Sequence, residues 1–153
     1  MAPPAIYVDA DACPVKDEAL RVAERHGLAI VYVANTGLRP SRDPMVHYVT
    51  VPQGADVADD WIAEHAGIND IVVTADIPLA DRVLKRGATA LGPTGRRFTA
   101  ESIGMALAMR DLNRHLRETG ESRGLNAAFS LRDRAAFLSA LDAAVNRAKR
   151  AAG

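Results

Sequence analysis

The stretch IYVDADACP, residues 6–14, decides the fold. An apolar, β-branched run is the pattern of a buried strand, and here it stops at two carboxylates and a proline, where a helix is expected to begin. Asp is disfavoured in strands and costly to bury, so two of them at a strand end need solvent, a helix terminus to cap, or a cation. The pattern points to a divalent metal held where strand one ends.

Working outward, the chain alternates strand and helix. Strand one is expected over 5–9, followed by a helix with Pro14 at its first position, Asp17 and Glu18 in its opening turns, and Val15, Ala19, Val22 and Ala23 on one face up to Gly27. The run 28–34 (LAIVYVA) is apolar nearly throughout, as a strand covered on both faces should be, which indicates a parallel sheet between helix layers. Residues 38–45 hold two prolines and two arginines and read as irregular, and 46–51 alternates as a third strand with no helix before it. A helix over 56–66 follows, then a buried strand over 71–75 (IVVTA) ending in Asp76, and a helix from Pro78 to Arg86. The fifth strand is 88–91. After the loop 92–97, Thr99 caps a long helix with Met105, Met109, Leu112 and Leu116 on one stripe and Arg110, Arg114 and Arg117 on another. The polar, glycine-bearing segment 119–128 reads as a mobile loop. Ser130 and Asp133 form a capping box for a last helix whose Phe137, Leu141, Ala144 and Ala148 face inward.

The expectation is a three-layer α/β fold, a mainly parallel five-stranded sheet with helices on both faces, in one domain over 1–153 with a helical pair at about 99–150 packed on it. A chain of this length buries roughly 70% of its unfolded surface without staples. One cysteine excludes a disulfide framework and fits a reducing compartment, and neither an export leader nor a membrane span is visible, so a cytoplasmic protein is expected. Formal charge cancels overall but not locally. Residues 1–95 carry 8 Lys and Arg against 13 Asp and Glu, net −5, whereas 96–153 carry 11 against 6, net +5. Such asymmetry pairs an acidic, metal-holding half with a surface for a polyanion, although arginine-rich helices are also common as plain solvated faces.

In open parallel sheets a ligand sits beyond the carboxyl ends of the strands, where strand order reverses. If strands one and four are neighbours there, Asp9, Asp11 and Asp76 come within reach of one ion, with Asp59 contributing from a helix start and Asp60 and Asp81 as outer candidates. Clustered carboxylates repel and suit a hard cation, Mg²⁺ or Mn²⁺. Helix capping explains Asp11, Asp56 or Asp76 taken singly. It does not explain Asp9, which lies inside the strand end. Cys13 is expected to pack rather than react, and the four histidines show no ligand spacing. Lys16, one turn into the first helix, can meet a carboxylate or a phosphate. Residues 92–95 lack the Walker spacing and lysine, but Arg96 and Arg97 can clamp a nucleic-acid backbone, together with the Arg110, Arg114 and Arg117 stripe.

The stretches IYVDADACPVK, GADVADDWI, VVTADIPLADRVLKRGA, GPTGRRFT and SLRDRAAFLSALD together resemble the YaiI/YqxD-type family of uncharacterised bacterial proteins over nearly the whole chain. That family is similar in turn to PIN-like nucleases. The resemblance implies metal-holding roles for Asp9, Asp59 (with Ile62 and Ala66 at the matching helical spacing) and Asp76, while Pro78 stands where a second turn acid is usual and Asp81 lies downstream. The expected function is therefore a Mg²⁺- or Mn²⁺-dependent nuclease hydrolysing RNA, with Asp9, Asp11 and Asp76 catalytic and the ion held by these and Asp59. Two alternatives stand: a non-catalytic metal- and RNA-binding module, and a phosphohydrolase of the haloacid dehalogenase type, which also places Asp-x-Asp after strand one. In the latter class the lysine precedes the last acidic motif, whereas Lys85 follows Asp76. With few aromatic residues, recognition of RNA would be mainly electrostatic, and self-association stays open.

Overall fold

The structure is a computed structural model that describes residues 3–11, 13–35, 42–54, 56–118 and 129–152, with 110–118 described in their backbone only. Five strands, β1 (Ile6–Asp9), β2 (Ile30–Ala34), β3 (Val46–Thr50), β4 (Ile71–Val73) and β5 (Thr89–Leu91), form one sheet in the order β3-β2-β1-β4-β5. Every neighbouring pair is parallel. Helices α1 (Lys16–His26), α2 (Val57–His65), α3 (Ile77–Lys85), α4 (Ala100–Glu118) and α5 (Leu131–Ala152) cover it. The three-layer α/β expectation holds. Among the described residues no helix is long and apolar enough to cross a membrane.

Strand alternation sorts the core into two halves. Ile6, Val8, Ile71 and Val73 pack against Val15, Ala19 and Val22 of α1 and Phe137, Leu141 and Val145 of α5. Val33, Val72 and Ala90 pack on the opposite face against Ile62 of α2, Leu79 and Val83 of α3, and Ile103 of α4. Ile6, Val8, Ile71 and Val73 are all fully buried, and each such side chain contributes about 1.5–3 kcal/mol of transfer free energy. The two C-terminal helices thus go to different faces. Met105 and Met109 of the long apolar stripe are 65% and 52% exposed.

Several element starts differ from the sequence expectation. Pro14 is not the first residue of α1, which begins at Lys16 after a turn, and Val15 stands at its N-cap with no side-chain bond, so Asp11 does not cap it. Asp56 precedes α2 in a left-handed conformation, φ 66°, and its side chain makes no cap bond either. Asp76 does cap α3: its Oδ1 accepts from the Leu79 N–H at 2.8 Å, with Pro78 in the first turn. The Ser130–Asp133 box forms reciprocally at 3.0 and 3.1 Å. Strand four ends at Val73 rather than at residue 75. The expected mobile loop, 119–128, and the first half of the irregular 38–45 segment, 38–41, lie outside the described residues.

After β5 the chain turns back on itself. Leu91 bridges Arg97 antiparallel, the Gly92 N–H donates to the Arg96 carbonyl at 2.8 Å, and the Phe98 N–H donates to the Ala90 carbonyl at 3.0 Å. Gly95 has φ +90°, and a Cβ there would come within 2.8 Å of the Ala136 carbonyl oxygen of α5. The loop therefore lies directly on the α5 backbone, an approach only glycine allows.

Candidate functional site

Strand order reverses between β1 and β4. From that point β1, β2 and β3 run outward one way, and β4 and β5 the other. An open cleft of about 280 Å³ lies at their carboxyl ends, lined by Asp9, Asp11, Cys13, Pro14, Val73, Thr74, Ala75, Asp76 and Pro93. This is the location that an open parallel sheet reserves for a ligand.

Register brings the side chains together. Val8 of β1 pairs with Val73 of β4, so one step further Asp9 stands level with Thr74. Alternation puts both on the face covered by α2 and α3. Thr74 is 2% exposed. Its Oγ1 donates to Asp9 Oδ2 at 2.9 Å and accepts from the Asp76 N–H at 3.0 Å. One hydroxyl thus fixes the rotamer of one carboxylate and the backbone of the next. Asp11 is fixed differently: its Oδ2 accepts from the Asn35 N–H beyond the end of β2 at 2.8 Å, and the Asn35 side-chain amide donates to the Pro52 carbonyl at 3.0 Å. Asp9, Asp11 and Asp76 each spend one oxygen on these bonds and leave the second without a hydrogen-bond partner among the described residues.

The carboxylates feel one another. Burial pushes the Asp9 carboxyl above its ordinary value, the Thr74 hydrogen bond pulls it partly back, and Asp76 and Asp11 push it up again. Asp59, on the first turn of α2, is pushed up to about 6, first by burial and then by Asp76, Asp9 and Asp56, against a lowering by Arg82. Asp59 is not part of the cleft wall and joins the group through this shared field. Asp60 and Asp81 are engaged elsewhere: Asp60 accepts from Arg82 at 2.7 Å and Asp81 from Lys85 at 2.9 Å.

The donor set is all oxygen, which fits Mg²⁺ or Mn²⁺ rather than a soft ion. Among the described residues no three His, Cys, Asp or Glu side chains are grouped closely enough to share one ion directly. A fully protein-enclosed ion is therefore not what these described carboxylates are arranged for.

Cys13 lines the cleft half-buried and packs against the α1 and α5 side of the core. Burial pushes its thiol up, so it stays a thiol near neutral pH, as the packing expectation requires. Lys16 opens α1 with an exposed side chain, and its charge reaches Cys13. Arg96 and Arg97 are exposed on the loop that follows the cleft residue Pro93. The side chains of Arg110, Arg114 and Arg117 lie outside the described residues. Sequence reasoning missed Thr74 and Asn35. Thr74 carried a signal, a lone hydroxyl closing an apolar strand two residues before Asp76, whereas Asn35 looked like any turn residue.

Comparison with known proteins agrees with the motifs. Residues 7–147 match the family described as "Uncharacterized BCR, YaiI/YqxD family". The chain is 67% identical over 147 residues to a UPF0178 protein of Agrobacterium fabrum, covering 96% of each chain. It is 63% identical over 152 residues to one of Mesorhizobium japonicum, covering 99% of this chain and 98% of the relative. A relative from Parvibaculum lavamentivorans is 63% identical over 145 residues, with 95% of each chain covered. No solved structure matches the chain. By its matched length and its near-complete overlap with these relatives, the chain belongs to the YaiI/YqxD family.

Proposed function

We propose that this protein is a divalent-cation-dependent nuclease-like hydrolase of RNA phosphodiesters, working at the acidic cleft between β1 and β4. The observation that carries this reading is the gathering of Asp9 and Asp76 at the switch point, with Asp11 acting on Asp9 and Asp59 on both, and a second oxygen on each of Asp9, Asp11 and Asp76 that has no hydrogen-bond partner among the described residues. Capping accounts for Asp76 and a tether to the end of β2 for Asp11, but neither calls for Asp9 and Asp59 beside them. Like charges gathered against a hydrophobic sheet destabilise the fold, and a Mg²⁺ or Mn²⁺ ion relieves them.

Asp9 and Asp76 would hold the ion, held in turn by Thr74, and Asp11 and Asp59 would complete its surroundings through water. Such an ion, once bound, supplies a water of lowered pKa and charge stabilisation at phosphorus. The protein's own part is orientation: the Thr74 hydroxyl keeps Asp9 and Asp76 in register, and Asn35 keeps Asp11 at the cleft mouth. Asp59, pushed up to about 6 beside Asp76 and Asp9, would act on the cleft through the field it shares with them. Lys16, Arg96 and Arg97 would meet the phosphate backbone without reading bases. A phosphohydrolase of the haloacid dehalogenase type fits less well, since Lys85 sits at the far end of α3 from Asp76 and is paired with Asp81.

The test is cleavage of end-labelled single-stranded RNA with Mn²⁺, against EDTA and against Asp9→Asn purified identically. Metal-dependent cutting by the parent and none by Asp9→Asn is the expected result. A variant as active as the parent overturns the assignment. Mn²⁺-induced stabilisation without cutting of any RNA moves the reading to a metal- and RNA-binding module.

A further inference from the structure

One side of the cleft is tied to α5 by a single side chain. Cys13 and Pro14 line the cleft, yet neither belongs to a regular element, because α1 begins only at Lys16. The first carbonyl bonded into that helix is that of Val15, which accepts from the Ala19 N–H at 2.9 Å. The Pro14 carbonyl falls just short of it, and among the described residues no backbone N–H reaches it. Arg134 of α5 does. Its Nη1 donates to the Pro14 carbonyl at 2.8 Å and to Glu18 Oε2 at 3.0 Å. The guanidinium carbon lies 4.9 Å from the centre of the Phe129 ring, which itself packs half-buried on the core. One nitrogen from α5 thus joins the residue before α1 to a residue in its opening turn, and an aromatic ring holds that nitrogen in place.

Stability alone does not ask for this contact. Arg134 stands in the opening turn of α5, at the positive end of the helix dipole, where a cation is disfavoured. The Glu18 side chain is only 14% exposed, and its Oε1 is buried without a hydrogen-bond partner among the described residues. A charge pair sunk with one oxygen unmet is often no better for the fold than two apolar side chains of similar volume. What the pair does achieve is position. Pro14 lines the cleft, and the neighbouring Cys13 N–H donates to the carbonyl of Ala10, the residue between Asp9 and Asp11, at 3.3 Å. Asp59 and Asp76 come to the site from the α2 and α3 face of the sheet, Cys13 and Pro14 from the α1 and α5 face, and Arg134 gives that second face its hold.

We propose that Arg134 is a positioning residue for the acidic cleft: through the Pro14 carbonyl it fixes the Cys13–Pro14 wall, while Glu18 and Phe129 fix the guanidinium. The inference rests on the reading of the cleft as a metal site and names a residue outside the cleft that keeps it in shape. A wall left free to move by a fraction of an ångström loosens the waters and phosphate oxygens that the carboxylates must order, so the tether acts on binding rather than on the fold as a whole.

Cys13 is the chain's one cysteine, so its rate of alkylation by iodoacetamide reports on this wall directly. The experiment measures that rate on the whole protein in EDTA, and Tm with and without Mn²⁺. Arg134→Met with Glu18→Met removes the tether and leaves no unpaired charge; it should speed alkylation roughly tenfold, the loss of one charge-assisted hydrogen bond, with Tm in EDTA near the parent's. The same variant should need about tenfold more Mn²⁺ for a given rise in Tm. Phe129→Leu keeps both bonds and removes only the ring, and should speed alkylation about threefold. Arg134→Lys offers one nitrogen to both acceptors and should restore the parent's rate. Arg25→Gln breaks a pair with Asp142 that joins the same two helices elsewhere, and should change neither reading. Alkylation unchanged in the Met pair and in Phe129→Leu, an equal gain in Arg25→Gln, or faster alkylation with an unaltered Mn²⁺ response overturns the role of Arg134 at the cleft. A Mn²⁺ response in the parent that the Met pair keeps in full refutes the tether and spares the metal reading; a parent without any Mn²⁺ response refutes the metal reading, and the tether then stands or falls on alkylation alone.

Discussion

Replacing Asp59 by Asn should make the protein more stable. The Asp59 carboxyl is raised from 3.8 to about 6, so its ionised form is disfavoured in the fold. That gap corresponds to about 3 kcal/mol, and because Asp59 is only partly buried, solvent screening reduces it to about 1.5 kcal/mol. The sign follows from which state releases its proton first. Below about pH 4 the folded and unfolded chains both hold the proton; between about 4 and 6 the unfolded chain loses it first, and stability falls; above about 6 the whole deficit stands. Asn removes the charge, so Asp59→Asn should gain about 1.5 kcal/mol at pH 7.5, or roughly 3–6 °C in Tm for a chain of this size. At pH 4 the gain should shrink to about 0.3 kcal/mol. Thermal denaturation of parent and variant at the two pH values measures this as a difference of differences, which cancels any pH-independent effect of the amide. The same scans with Mn²⁺ should raise the parent's Tm more than the variant's at pH 7.5. A variant less stable than the parent at pH 7.5, or shifted equally at both pH values, refutes the argument that Asp59 belongs to a field of like charges.

Thr74→Val keeps shape and removes both the donor to Asp9 and the acceptor for the Asp76 N–H. Urea denaturation should register a loss of about 2 kcal/mol, and the Mn²⁺-induced rise in Tm should diminish; parent-like values in both would mean that Thr74 only fills space. Gly95→Ala forces a side chain into a left-handed position 2.8 Å from the Ala136 carbonyl and should cost about 1–3 kcal/mol, so a variant as stable as the parent would contradict the docking of the 92–97 loop on α5.

Periodicity made most of the sheet legible, because a parallel strand buried on both faces leaves a run such as IVYVA or IVV that no surface element carries. Asp9 and Asp76 were legible for a related reason: a charge at the end of such a run is out of place unless the edge of the sheet needs it. The first turn of α1 was not, since Pro14 suits a helix start by its fixed φ, yet Pro14 and Val15 form a turn before α1 begins at Lys16. What holds Asp11 was hidden as well. Its partner is a backbone N–H 24 residues away, and a main-chain donor leaves no mark on the identity of Asn35.

The strand order has a consequence for synthesis. Strand β1 is the centre of the sheet, and its partner in β4 lies 65 residues later, Ile6 against Ile71. At about 5–20 residues per second a ribosome needs roughly 3–13 s to deliver that partner after Ile6 has been added. During that interval β1 can pair on one side only, with β2, and the edge that β4 will fill stays open. The nascent chain is therefore open to wrong pairing along the side of β1 that later takes β4, next to the end of the strand where the finished protein gathers its carboxylates.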